Sequence, residues 1–71
     1  MTLERFLVIA RLIRMRGGRS QEAARLVLVD GLRPSEAARR TGLSLQSVCD
    51  AVRRVKRADE QLRNLDQKPT R

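Results

Sequence analysis

Apolar residues return every three or four positions along nearly the whole chain, the spacing of a helix face rather than the alternation of a strand. The pattern predicts an all-α fold, a small multi-helix bundle. In the first segment Leu3, Phe6, Leu7, Ala10 and Ile13 share one face, and the Gly17-Gly18 pair is the expected stop. Val8, Leu12 and Met15 form a second stripe on the opposite side. That is one apolar face more than so small a core requires, so the stripe is a candidate subunit contact. Ser20 is the expected N-cap of a second helix reaching about Val29, offering Ala23, Ala24, Val27 and Leu28 to the core before Asp30-Gly31 ends it. A short helix over 34–41 follows, with Pro34 in its first turn, Glu36 near the positive end of its dipole, and Gly42 suited to the left-handed conformation that closes it. Ser44 then caps a last helix in which Val48, Ala51, Val55, Ala58, Leu62 and Leu65 keep an a/d spacing to about residue 65. Residues 66–71, polar and containing Pro69, read as a disordered tail beyond a single 1–65 domain.

Pro34 to Arg53 fits the twenty-residue helix-turn-helix pattern, placing the motif and its extended second helix at 34–57. Ala37 and Ala38 are small where two helices must approach, Gly42 permits the backbone of a tight turn, and Leu43, Val48 and Ala51 lock the second helix across the first. With Val48, Ala51 and Val55 turned inward, a step of about 100° per residue puts Gln46, Asp50, Arg53 and Arg57 on the outward face. Such a stripe fits a DNA major groove, and Ser44, Leu45, Gln46 and Ser47 occupy the amino-terminal turn that reaches base edges. Gln can pair with adenine, Leu can meet a thymine methyl, and Arg53 can read guanine or grip phosphate. Asp50 either accepts from cytosine or pairs with Arg53 or Arg54, the latter being the preferred reading because a lone carboxylate beside phosphates is costly. Arg39, Arg40, Arg54, Lys56 and Arg57 are phosphate-contact candidates. Cys49, beside this face and with no second thiol in the chain, is read as a packing residue.

Charge sharpens the picture. Sixteen Lys and Arg against eight Asp and Glu give a net charge of +8 on 71 residues, which points to a polyanionic partner. The excess is concentrated at 1–16 and 33–57, and nearly all of it is Arg, whose donor fork suits phosphate and guanine. Phe6 is the sole aromatic, so the chain lacks the platforms on which single-strand binders stack bases, and a duplex is the more natural ligand. No apolar run approaches the roughly 18 residues that cross a bilayer, the longest being Phe6 to Ala10. One cysteine and no histidine leave neither an internal disulfide nor the commonest general base and metal ligand. Neither an enzyme nor a cofactor protein is therefore expected, and no small-molecule ligand is evident.

The stretch Ala24-Arg25-Leu26-Val27-Leu28-Val29-Asp30-Gly31, with Gly42-Leu43-Ser44, Val48 and Ala51-Val52-Arg53-Arg54-Val55, resembles the TrfB/KorA transcriptional repressors of bacterial plasmids. The resemblance covers residues 22–57 and implies a small helical DNA-binding domain, a homodimer on a palindromic operator, and repression by occluding a promoter. Leu45 and Asp50 stand where those repressors carry other polar or basic side chains, so their operator sequence does not carry over. The resemblance stops short of the separate C-terminal dimerisation region of longer members, so the expected dimer contacts are Leu62 and Leu65, or Val8, Leu12 and Met15. The expectation is a cytoplasmic, nucleoid-associated bacterial regulator that binds duplex DNA. The competing reading is a small basic helical adaptor for RNA or an acidic protein, which would make no use of the helix-turn-helix register.

Overall fold

The computed structural model describes residues 1–15 and 17–67, which form four helices and, among those residues, no strand. They are α1 (Leu3–Leu12), α2 (Gly18–Leu28), α3 (Pro34–Thr41) and α4 (Leu45–Gln67). The all-helical bundle expected from the apolar spacing is what forms. Helix α2 packs against both α3 and α4, while α1 lies across α2 and α4. The core has two adjoining parts. Phe6, Ile9 and Ala10 of α1 meet Ala24, Ala51 and Val55, and Ala23, Leu26, Ala37 and Val48 close the helix-turn-helix half. Val52 is half-buried against both parts, so the long helix is the shared wall.

Helix α1 departs from the expected face. Phe6, Ile9 and Ala10 are buried, whereas Leu3 and Leu7 are 46% and 44% exposed. The inward arc is centred one step around, on Ile9, Ile13, Phe6 and Ala10, because α1 must lie on α4 and α2 at once. The stop also differs. Helix α1 ends at Leu12, well before the glycine pair, through a left-handed Arg14 at φ 62°. Met15 N–H donates to Ala10 O at 2.8 Å and Arg14 N–H to Arg11 O at 3.1 Å, the paired bonds of a Schellman motif. That motif brings the residue after the left-handed one back onto the helix. Met15 accordingly packs half-buried against the core instead of extending the Val8 and Leu12 stripe.

The amino end of α2 is a second correction. The helix begins at Gly18 behind an N-cap Gly17 with φ 73°, and Ser20 lies inside it. A side chain four residues on does the capping work, Gly17 N–H donating to Gln21 Oε1 at 2.8 Å. In α2, Leu26 is buried and Val27 and Leu28 are only partly so. Arg25 holds both Glu22 and Asp30, the latter at 3.1 Å, and ties the end of the helix to the turn that follows. The hydrogen bond from Arg25 holds the Glu22 carboxyl below its ordinary value, and Glu22 raises Arg25 in return. Helix α4 runs to Gln67, and residues 68–71, most of the segment expected to be a tail, lie outside the described residues.

Candidate nucleic-acid interface

The turn between α3 and α4 is built from short-range chemistry. Pro34 begins α3, where a missing N–H costs nothing, and Gly42 closes it at φ 77° with its N–H on Ala38 O at 2.9 Å. Thr41 reinforces the exit: its hydroxyl donates to Ala37 O at 2.8 Å, and its oxygen accepts from Leu43 N–H at 3.4 Å. Ser44 Oγ then accepts from Ser47 N–H at 3.1 Å while Ser44 O accepts from Val48 N–H at 3.1 Å, the expected cap of α4. The Ser44 hydroxyl donates to Ser47 Oγ at 3.0 Å, so these two candidate base-contact residues hold each other in place.

Beyond the cap, Val48, Ala51 and Val55 are buried as expected, which fixes the rotation of α4. Leu45, Gln46, Asp50, Arg53, Arg54 and Arg57 are all exposed, and Lys56 with them. Arg39 and Arg40 stand exposed at the end of α3. The structure thus brings every candidate DNA-contact residue to the surface of one helix pair. Their charges are partly committed within the chain. Glu36 accepts from Arg39 at 3.1 Å and pairs with Arg40 at 3.4 Å, and Arg53 Nη1 donates to Asp50 Oδ1 at 3.5 Å. Exposed pairs of this kind are worth at most about 1 kcal/mol, so a phosphate or a base edge can take the arginine without large cost. Arg54, Lys56 and Arg57 make no ion pair among the described residues. A shallow groove beside them is lined by Pro34, Cys49, Val52, Arg53, Lys56 and Glu60, with Cys49 half-buried.

The candidate dimer contacts divide. Val8, Leu12 and Leu65 are 56%, 58% and 72% exposed, while Met15 and Leu62 are taken up in part by the chain's own core. Sequence reasoning missed Asp59, the one buried charged residue among those described, which pairs with Arg5 of α1 and with Arg63 at 3.4 Å. It fastens α1 to α4, and nothing local marks it, since its main partner lies far away in the chain. Among the described residues no helix is long and apolar enough to cross a membrane, and no group of three His, Cys, Asp or Glu side chains is placed to hold a metal ion.

A short helix, a left-handed glycine turn and a capped second helix locked across the first define a helix-turn-helix domain, here within a four-helix bundle. The family assignment follows the same residues. The chain belongs to the TrfB plasmid transcriptional repressor family (KORA), whose family model matches residues 1–67 and so takes in all four helices. No curated protein and no solved structure matches it.

Proposed function

We propose that this chain is a sequence-specific double-stranded DNA-binding repressor that acts in the cytoplasm as a homodimer on a palindromic operator. One observation carries the reading: the outward face of α4 presents Gln46, Asp50, Arg53 and Arg57 in a row, on a helix whose rotation is fixed by three buried residues. Leu45, Gln46 and Ser47 meet base edges, Arg53 reads a base or a phosphate, and Arg39, Arg40, Arg54, Lys56 and Arg57 follow the backbone. The buried state of Phe6 supports a duplex over a single strand, because the only aromatic ring offers no stacking face. Val8, Leu12 and Leu65, apolar and exposed, are available for the two-fold pairing that a palindrome requires.

The test is selection of bound duplexes from a random pool at about 150 mM salt, where non-specific charge binding is already weak. An enriched palindrome is expected. A single enriched half-site keeps the DNA reading and removes the preformed dimer, whereas no enrichment overturns the reading in favour of a basic adaptor for RNA or an acidic protein.

A further inference from the structure

Arg19 lies in the first turn of α2, outside the helix-turn-helix, and its side chain reaches over the turn between α3 and α4. Its Nη1 stands 3.9 Å from where a Cβ on Gly42 would sit, two residues before the cap of α4. The location is electrostatically wrong for the free chain. The first turn of a helix carries the positive end of its dipole and disfavours a cation, and α2 has no acidic residue there to compensate. Arg19 is exposed and makes no ion pair among the described residues, unlike Arg5, Arg25, Arg39, Arg40, Arg53 and Arg63. A guanidinium kept beside a helix amino end without a counterion is satisfied when an anion arrives from outside. The turn it covers leads directly into Ser44, Leu45 and Gln46.

We propose that Arg19 holds a backbone phosphate of bound duplex DNA beside the amino end of α4, which extends the interface onto α2; this rests on the duplex-binding reading above. The contact positions the helix and carries no base preference, since phosphates are the same along every sequence. Replacing it therefore weakens all duplexes alike.

Arg19→Gln, Arg19→Lys and, as a control for the loss of one positive charge, Arg11→Gln on the far side of α1 are to be titrated onto a random-sequence 30-base-pair duplex and onto the sequence recovered by selection, between about 50 and 200 mM salt. For Arg19→Gln the slope of log K against log salt is expected to fall by about 0.9, with affinity down roughly five- to ten-fold on both duplexes. Arg19→Lys keeps the slope, Arg11→Gln leaves it at the parent value, and all three melt with the parent. A slope for Arg19→Gln equal to that of Arg11→Gln overturns the proposal, as does a loss confined to one base pair. A parent chain that binds neither duplex overturns the duplex reading and this inference together, so the two failures are distinguishable.

Discussion

Asp50→Asn is the substitution that separates the two roles open to the carboxylate on the outward face of α4. In the free chain Asp50 accepts from Arg53 at 3.5 Å, with both side chains more than half exposed. A pair this wet contributes at most about 1 kcal/mol, and Asn is nearly isosteric, so folding stability should move by less than about 0.5 kcal/mol. DNA binding responds differently. A carboxylate about 8 Å from a phosphate in water-like dielectric is repelled by about 0.5 kcal/mol before screening, and one flanking phosphate on each side doubles this. Removing the charge should raise affinity about two- to five-fold for every duplex, because the repulsion does not depend on base identity. If Asp50 instead accepts from a cytosine amino group, the variant loses about 1–3 kcal/mol at one base pair only. Fluorescence anisotropy titrations on the selected sequence and on single-base variants of it distinguish the outcomes. A loss of ten-fold or more that disappears when one G·C pair is changed would refute the pairing role.

Three further outcomes follow from the packing. Gly42→Ala forces a Cβ into a left-handed conformation at φ 77°, while the nearest atom at 3.9 Å leaves room for it, so the cost is backbone strain of about 1 kcal/mol net. Thermal melting should fall by about 4–8 °C, with Gly42→Asn close to the parent. Asp59→Asn releases Arg5 and Arg63, both exposed enough to turn to water, and should lower the urea midpoint by the equivalent of about 1–2 kcal/mol without changing the m-value. Because Arg25 holds Glu22 below its ordinary value, that pair stabilises the fold above about pH 4.3 and is lost as the pH falls through the lowered value. Glu22→Gln should flatten the stability curve in that acid window and leave its slope above pH 5 unchanged, as read by urea unfolding at a series of pH values.

What was legible in the sequence is what acts over a few residues. Pro34, Gly42 and Ser44 each answer a need of the adjoining backbone, so the boundaries of α3 and the start of α4 follow from them directly. The outward face of α4 was legible for the same reason, since one helical step converts the buried Val48, Ala51 and Val55 into an exposed row. The end of α1 was not. Gly17 and Gly18 are the local punctuation, yet the helix ends at Leu12 and the chain reverses at Arg14, where packing of Met15 on the core offsets the cost of a left-handed arginine. Asp59 escaped for a related reason, because an acid four residues before Arg63 reads as one more exposed pair until α1 is laid over it.

The Asp50–Arg53 pair is one the spacing already favours, and the division of the cations into paired and unpaired bears on how the proposed interface divides its work. Arg53 is held by Asp50, and Arg39 and Arg40 share Glu36, so these three side chains have a preferred place before any ligand arrives. Orientation in advance lowers the entropy lost on binding, and for a planar fork it favours contact with one fixed acceptor pair. Arg54, Lys56 and Arg57 have no such partner among the described residues and keep the freedom to follow phosphates wherever the duplex puts them. On the proposed reading Arg53 is the cation suited to discrimination, because it alone is both pre-oriented and in the outward row of α4, while the unpaired set supplies salt-sensitive affinity. Neutralising Arg53 should then change which sequences are selected, and neutralising Arg54 or Lys56 only how tightly all of them are held.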